Sequence, residues 1–469
     1  MVFASLEFLT LFLPAFLVIY ALVPRGARNF VLMVGSWIFY GWWSPYFLLL
    51  LIALTTLAWL GGMAIERVAA PTPRVRLLAL LIVINASVLF WYKYANNLVE
   101  TLNGVLSWSG ALPLEWERLV LPAGLSFVVL QAISYLIDVH RGTVRAQRSF
   151  IDYAAYKAMF GQLIAGPIIR YDWVAKELAD RPFNREGFVL GARRFMIGMS
   201  MKVLIADTLA PVVDAAFALP APSLADAWIG CAAYTLQLFF DFAGYSAMAI
   251  GLGIMLGFKF PENFNHPYLA VSIQDFWRRW HLSLSSWIRD YLYIPMGGNR
   301  LGVYKTYRNL LLTMAIAGLW HGGDNWNFLL WGIAHGVALA VARAWTQAGW
   351  LTLPRLVSRL LTLLFVMLAW TLFRAVNFDA AITMYQGQFG MNGAALSDAL
   401  AVLLRPAHLV AALLGVVCVT FPLWHSRIAR LRVGEALTWV VGLWPLVGFL
   451  ISFSLIASRG AVPFLYFQF

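Results

Sequence analysis

Long uninterrupted apolar runs recur along almost the whole of this 469-residue sequence. Several of them, such as 45–64 and 228–256, reach the roughly 20 residues that a helix needs to cross a bilayer. Hydrophobic residues make up 61% of the chain and charged residues only 12%, whereas soluble domains are about half apolar and about a quarter charged. The runs are continuous and do not alternate, which argues against a β-barrel. The sequence therefore predicts an all-α, polytopic membrane protein.

Apolar length predicts about 11 to 12 transmembrane helices. The predicted spans are about 7–23, 29–43, 45–64, 77–94, 119–138, 195–216, 228–256, 310–320, 326–342, 360–373, 409–421 and 439–456. The shorter piece YAAYKAMFGQLIAGPII is interrupted by Gly161, Gly166 and Pro167. Such a piece suits a re-entrant or interfacial element better than a full span. We expect residues 1–469 to form a single transmembrane domain.

The net charge of +12 reflects topology and not a nucleic-acid partner. Most Lys and Arg residues lie in alternate loops between the spans, and cytoplasmic loops carry an excess of these residues. This distribution predicts an N-terminus on the outer face. The two cysteines, Cys231 and Cys418, lie in apolar runs and are expected to pack as small hydrophobic residues. Membrane lipid is the only partner that composition itself predicts.

Residues 270–336 combine apolar and polar residues more densely than the rest of the chain, and we predict that they form the catalytic core. The segment QDFWRRWHLSLSSWIRDYLYIPMGGNR contains His281. As one amphipathic helix, it would anchor the chain among lipid headgroups. However, its Ser, His, Arg and Asp residues cannot all face headgroups while the aromatic rings are buried. Some of them are therefore expected to line a wet cavity.

A second histidine, His321, ends an apolar run and is followed by Gly322 and Gly323. These glycines would break the helix and allow a ligand to approach the backbone. One interpretation is a hydrogen-bonded packing residue. The other is a general base that removes a proton from a hydroxyl or thiol. No motif with metal-ligand spacing accompanies the histidines, so no metal is expected.

Three intramembrane charges are expected to make structural contacts between helices. Lys202 and Asp207 can pair within one span, and Asp241 lies in the next. Ionisable groups at this depth usually pair with one another or serve function. We therefore expect these three residues to form structural polar contacts between helices, and not a functional site.

The sequence resembles the membrane-bound O-acyltransferases, in the bacterial branch typified by the alginate O-acetylation membrane protein. The resemblance runs over nearly the whole chain. It rests on MVFASLEFL, YKYAN, LPAGLSFVVLQAISYLIDVHRG, FGQLIAGPIIR, QLFFDFAGYSAMAIGLG, FWRRWHLSLSSWIRDYLYIPMGGNR and GLWHG. It implies that His321, in GLWHG, is the essential histidine and that His281 is its upstream partner. The D-alanylation protein of teichoic acid synthesis shares these two elements.

The resemblance also implies a ring of helices around a central tunnel. An acyl donor would enter from the cytoplasm and an acceptor from outside. The expected function is O-acetylation of an exopolysaccharide, alginate or cellulose, at the bacterial inner membrane. The donor would be acetyl-CoA or an acyl-carrier thioester, with no bound cofactor. Periplasmic or membrane-anchored acetyltransferases would be the partners.

The mechanism expected from this resemblance divides the chemistry between the two histidines. His321 would act as general base on the acceptor hydroxyl, and His281 or a nearby hydroxyl would stabilise the donor carbonyl. The expected substrate- and donor-binding residues are Arg278, Arg279, Trp280, Ser283, Arg289 and Asp290. Two alternatives stay open, namely an acyl or polysaccharide exporter and a transferase of the teichoic-acid D-alanylation type. A structural scaffold is a weaker third interpretation.

Overall fold

The computed structural model describes residues 1–164, 166–182, 184–323, 325–428 and 435–465. Within these ranges the chain forms helices and no β-strand. The first ten helices are α1 (Leu13–Leu22), α2 (Arg28–Gly41), α3 (Pro45–Arg67), α4 (Pro71–Trp108), α5 (Leu125–Arg141), α6 (Phe150–Ala158), α7 (Phe160–Leu163), α8 (Tyr171–Ala179), α9 (Arg185–Ser200) and α10 (Asp207–Ala218). The others are α11 (Leu224–Met255), α12 (Ile273–Trp277), α13 (Leu282–Ile288), α14 (Val303–His321), α15 (Asn327–Gln347), α16 (Arg355–Arg374), α17 (Phe378–Gln388), α18 (Asp398–Leu403), α19 (Pro406–Ile428) and α20 (Glu435–Arg459). Three π-helical segments, Phe8–Phe12, Met201–Ala206 and Arg289–Tyr293, adjoin α1, α10 and α13.

Eight helices in the described ranges are long and apolar enough to cross a membrane. They are Pro45–Arg67, Pro71–Trp108, Arg185–Ala218, Leu224–Met255, Asn327–Gln347, Arg355–Arg374, Pro406–Trp424 and Gly442–Arg459. Each overlaps a span predicted from sequence. The all-α, multi-pass class is therefore confirmed.

The other four predicted spans are also helical but fall short of these eight in length or hydropathy. The first corresponds to the short apolar helix Phe8–Leu22. Helices α2 and α5 have only 14 and 17 residues. Helix α14 has 19 residues, but its first turns carry Lys305 and Arg308. Sequence thus locates helices at all of the predicted positions, while only eight of these helices are long and apolar enough to be spans.

Side-chain caps explain where several helices begin. The hydroxyl of Ser44 accepts a hydrogen bond from the Phe47 amide, and Pro45 occupies the first turn of α3. Ser272 caps α12 in the same way, through the Asp275 amide. Such caps satisfy amide groups that have no partner inside the helix. Proline at the first position adds a fixed φ angle suited to helix entry.

The piece predicted to be re-entrant is a broken helix. Helices α6 and α7 are separated at Met159, whose φ of −45° and ψ of 107° are not helical. The break lies ahead of the glycines from which it was inferred. The Phe160 amide at the break donates to the Ser36 hydroxyl at 3.0 Å. The interruption is thus confirmed, and its re-entrant placement in a membrane stays a prediction.

The chain divides into two compact units. The first comprises Met1–Phe195, Ser246–Pro261 and Arg459–Phe469. Its core includes an aromatic cluster in which the ring of Phe12 lies 5.3 Å from Phe160 and 5.6 Å from Phe39. The second comprises Met196–Tyr245 and Glu262–Ser458, and therefore contains the whole of residues 270–336.

The intramembrane charges of the second unit are paired. The amine of Lys202, in the π-helical segment Met201–Ala206, lies 2.8 Å from carboxylate oxygens of both Asp207 and Asp241. The predicted Lys202–Asp207 pair is confirmed, and Asp241 completes it. π-helical turns inside α-helices are rare and occur frequently at functional sites. Here such a turn brings one amine to carboxylates from two helices.

Helices α14 and α15 pack unusually closely because glycines face each other between them. A Cβ atom on Gly318 would lie 2.2 Å from the Phe328 carbonyl oxygen, and one on Gly332 would lie 2.3 Å from the Met314 carbonyl oxygen. Small residues allow helix backbones to approach in this way. The close packing fixes the end of α14, which carries His321.

Candidate active site

His321 is the last residue of α14 and its ring is enclosed by aromatic side chains. The residue is 4% exposed. Its ring centroid lies 5.2 Å from Trp331 and 5.4 Å from Phe373, both in nearly edge-on geometry. Edge-to-face packing of this kind is favourable and directional. The position of His321 therefore depends on the close packing of α14 and α15 and on Phe373 from α16.

His281 is positioned differently, in a turn between α12 and α13. The structure replaces the continuous amphipathic helix of the sequence interpretation with two short helices separated by this turn. His281 has φ 44° and ψ 57°, a left-handed conformation that is uncommon for a residue with a side chain. Its ring is fully buried, and Nδ1 lies 3.1 Å from Asn263 Oδ1. Nε2 has no hydrogen-bond partner among the described residues.

Burial determines the protonation state of His281. In the chain, His281 lies outside the candidate spans, between Leu224–Met255 and Asn327–Gln347. Burial lowers the pKa of its imidazole to about 3. Desolvation disfavours the charged form of a histidine, and no charged side chain offsets that effect here. The ring is therefore neutral at physiological pH.

Trp320 brings the two predicted catalytic histidines into one site. Its ring centroid lies 4.8 Å from that of His321 and 6.4 Å from that of His281. One indole ring therefore lies next to both imidazoles. The structure thus brings together the two histidines that are 40 residues apart in the sequence.

A third buried histidine, His335, was not singled out from the sequence. It lies on α15, one helical turn after Trp331, and is fully buried. Trp277 Nε1 donates to His335 Nδ1 at 3.3 Å, and the ring also packs against Trp331 and Phe365 at 4.7 and 5.2 Å. A signal existed, because His335 precedes a glycine in GIAHG much as His321 does in GLWHG.

Three of the predicted donor-binding residues lie next to the His281 turn, in different environments. Arg278 is exposed. Arg279 bonds Asp275 at 2.9 Å. Trp280 is 2% exposed and packs between Phe276 and Trp370, at 5.6 and 5.1 Å. Trp280 is therefore part of the core of this unit, whereas the two arginines lie at or near its surface.

The other three predicted binding residues follow His281 in α13 and the π-helical segment after it. The buried Ser283 hydroxyl donates to Asn263 Oδ1 at 2.9 Å. Arg289 lies outside the candidate spans and donates to both carboxylate oxygens of Asp290, at 2.6 and 3.0 Å. That hydrogen bonding raises the pKa of Arg289 above its ordinary value. Arg289 therefore remains a cation whose charge is partly balanced by its neighbour.

The described residues contain no group of three or more His, Cys, Asp or Glu side chains arranged to hold a metal ion. The chemistry that the site offers through its own side chains is proton transfer and hydrogen bonding by imidazoles, in surroundings that exclude water. These features are those of a multi-pass membrane enzyme with buried histidines.

Comparison with known proteins identifies the class. The model of MBOAT, the membrane-bound O-acyltransferase family, matches residues 141–378. Proteins called Probable alginate O-acetylase AlgI from Azotobacter vinelandii and Pseudomonas aeruginosa are 47% and 46% identical to this chain over 399 and 402 residues. Those alignments cover 85% of this chain and 80% and 76% of the relatives. A peptidoglycan O-acetyltransferase from Helicobacter pylori is 35% identical over 425 residues, covering 83% of this chain and 80% of the relative.

The chain belongs to the membrane-bound O-acyltransferase family. It is an O-acetyltransferase and a multi-pass membrane protein. The matched region contains both His281 and His321 and the aromatic residues around them.

Proposed function

We propose that this enzyme takes an acetyl group from a thioester donor on the cytoplasmic side of a bacterial inner membrane. It passes the group across the membrane for O-acetylation of an exopolysaccharide. The relatives named as alginate O-acetylases support alginate or a similar polymer, such as cellulose, as the final acceptor. Acetyl-CoA is the proposed donor, and an acyl-carrier thioester is the alternative.

The observation that carries this proposal is the pair of buried imidazoles held against Trp320. In the proposed reaction, His321 takes the proton of the acceptor hydroxyl, whose oxygen attacks the thioester carbonyl carbon. A C–O bond forms, the C–S bond breaks, and the leaving thiolate recovers the proton from the imidazolium. A positioned general base of this kind accelerates such a step by about a hundred- to ten-thousandfold.

Partners outside the membrane are part of the proposal. The polymer is too large to enter a site enclosed by aromatic rings, so the acetyl group must be relayed. Periplasmic or membrane-anchored acetyltransferases are proposed to receive it. Exposed cations near the His281 turn, Arg278 and Arg289, are proposed to attract the anionic donor.

A second acceptor class is supported by one finding. The relative from Helicobacter pylori is named as a peptidoglycan O-acetyltransferase and aligns over most of this chain. A cell-wall glycan is therefore the alternative acceptor. Teichoic-acid D-alanyl transfer has weaker support, because the relative of that name from Bacillus subtilis is 28% identical over 46% of this chain.

Purified protein in nanodiscs tests the proposal directly when it is supplied with radiolabelled acetyl-CoA and either short acceptor glycans or a purified periplasmic acetyltransferase. We expect thioester-dependent acetyl transfer, lost by about a hundredfold or more in His321→Ala at unchanged protein level. Equal transfer in that variant would remove His321 from the mechanism. Passage of label or glycan across liposomes without any thioester cleavage would instead support an exporter.

A further inference from the structure

The loop before α12 is tied to the His281 turn by its backbone. The amide of Leu282 donates to the Asn263 carbonyl, and the amide of Asn265 donates to the Arg279 carbonyl, both at 2.9 Å. These two bonds bracket His281, and residues 263–265 therefore form a support for the turn. The left-handed backbone of His281 is held by that support.

The side chain of Asn263 makes three hydrogen-bond contacts to the His281 turn, all through its oxygen. Its Oδ1 lies 3.1 Å from His281 Nδ1, 3.2 Å from the Ser283 amide nitrogen and 2.9 Å from the Ser283 hydroxyl. Asn263 is 1% exposed. A buried amide with three contacts converging on one oxygen has little freedom to rotate.

The direction of these bonds determines the tautomer of His281. A backbone N–H can only donate, so the Asn263 atom that faces the Ser283 amide must be the oxygen. That same oxygen faces His281 Nδ1, and an amide oxygen can only accept. Nδ1 must therefore carry the hydrogen of the neutral ring. Nε2 is then the nitrogen with the free lone pair.

The other neighbours of the ring do not alter this assignment. The Ser283 hydroxyl lies 3.5 Å from Nδ1, but its hydrogen is donated to Asn263 Oδ1 at 2.9 Å. Phe242 packs edge-on at 4.7 Å, and Trp320 lies at 6.4 Å. Asn263, Ser283, Phe242 and Trp320 are all uncharged, and burial is the one cause of the lowered pKa of His281. Nothing among these neighbours favours a doubly protonated ring.

We infer that Asn263 is a positioning residue that makes His281 a hydrogen-bond acceptor at Nε2. Resting on the proposed function, the inference has His281 Nε2 accept the hydrogen of the acceptor hydroxyl while the acceptor binds, and so orient that hydroxyl before His321 removes the proton. It changes the expectation from sequence that His281 stabilises the donor carbonyl. A neutral ring with its hydrogen on Nδ1 has no N–H at Nε2 to offer a developing oxyanion.

Three variants separate this role from a structural one. Asn263→Ala removes the acceptor, and we expect kcat to fall by about a hundredfold with little change in the KM of the thioester. Asn265→Ala removes an exposed side chain from the same loop but keeps the backbone amide that bonds the Arg279 carbonyl, so this matched control should retain wild-type kinetics. Asn263→Asp keeps the acceptor oxygen but adds a negative charge beside the imidazole.

The pH dependence of kcat in the Asn263→Asp variant distinguishes a positioning role from a purely structural one. A carboxylate next to the ring favours imidazolium and so raises the pKa of His281. Because protonation removes the Nε2 lone pair, the acid limb of the kcat profile should move to higher pH than in the wild type. A wild-type profile in this variant, or a fully active Asn263→Ala, would overturn the inference.

Nuclear magnetic resonance of protein labelled with 15N-histidine tests the tautomer without any turnover. One ring should give the Nδ1–H signature, and this signal should disappear in His281→Gln and change in Asn263→Ala. An Nε2–H signature for His281 would overturn the inference even if acetyl transfer is demonstrated. Conversely, an Nδ1–H signature in a wild-type protein that transfers no acetyl group would leave the tautomer assignment standing and reject the proposed function.

Discussion

The surroundings of His281 and His321 show two different ways to hold an imidazole. His281 is placed by hydrogen bonds, in an irregular turn whose backbone conformation is uncommon. His321 lies at the end of a regular helix, where aromatic rings pack against its imidazole. The hydrogen bonds at His281 fix which nitrogen carries the hydrogen, and the aromatic packing at His321 restricts where its ring lies. Each histidine should therefore be sensitive to a different kind of substitution.

The largest expected effect tests whether the two histidines act as one unit. We expect His281→Gln and His321→Gln each to lower acetyl transfer by about a hundred- to ten-thousandfold. Both rings lie next to Trp320. If they act in one step, the double variant should be little worse than the more damaged single variant. Initial rates with purified protein and labelled thioester measure all three.

Additive losses in the double variant would contradict a shared step. They would place the two imidazoles in separate events, such as donor loading and acceptor attack. The control is protein yield and melting temperature, which should be similar for all three variants because glutamine retains a polar side chain of similar length.

The two regions also differ in how far sequence predicts them. Apolar length locates the helices well, because a membrane permits few structures other than helices that satisfy their own backbone. His321 could be found because GLWHGG contrasts a histidine and two glycines with an apolar run. The close approach of α14 and α15 depends on Gly318 and Gly332, which look like ordinary helix residues until their neighbours are known.

The support of His281 could not be predicted in the same way. Asn263 lies 18 residues before His281, in a loop with no periodic pattern. The turn at His281 was also missed, because the apolar spacing around it suits one amphipathic helix and left-handed histidines are uncommon. Residues brought together by irregular backbone leave no repeat in the sequence, and only the structure reveals them.

Substitution of Gly332 tests whether the close packing of α14 and α15 holds His321 in place. In Gly332→Ala the new Cβ would meet the Met314 carbonyl oxygen at 2.3 Å, a backbone atom that cannot simply rotate away. Overpacking of this kind typically costs about 1–3 kcal/mol. We expect a lower melting temperature and reduced acetyl transfer, because the end of α14 must shift.

Gly104→Ala is the matched control for that substitution. Gly104 is also helical, in α4, but no atom lies within 4 Å of a Cβ built on it. Alanine is favoured over glycine in a helix by about 1 kcal/mol, so stability should be unchanged or slightly increased. A Gly332→Ala protein as stable and active as Gly104→Ala would show that the approach of α14 and α15 does not hold His321.

The smallest expected effect concerns Arg289, which begins the π-helical segment after α13, eight residues beyond His281. Its side chain is 62% exposed and paired with Asp290, so the guanidinium can attract an anion without being buried. Exposed ion pairs contribute about 0.2–1 kcal/mol, and Arg289→Ala should therefore raise the KM of the thioester donor by only a few-fold. The KM of the acceptor and kcat should stay near wild type, and added salt should reduce the difference in donor KM because it screens exposed charge.

Arg300→Ala, at an exposed position beyond the same segment, is the control and should leave both KM values unchanged. A larger change in acceptor KM than in donor KM would place the acceptor, and not the donor, at this end of the site.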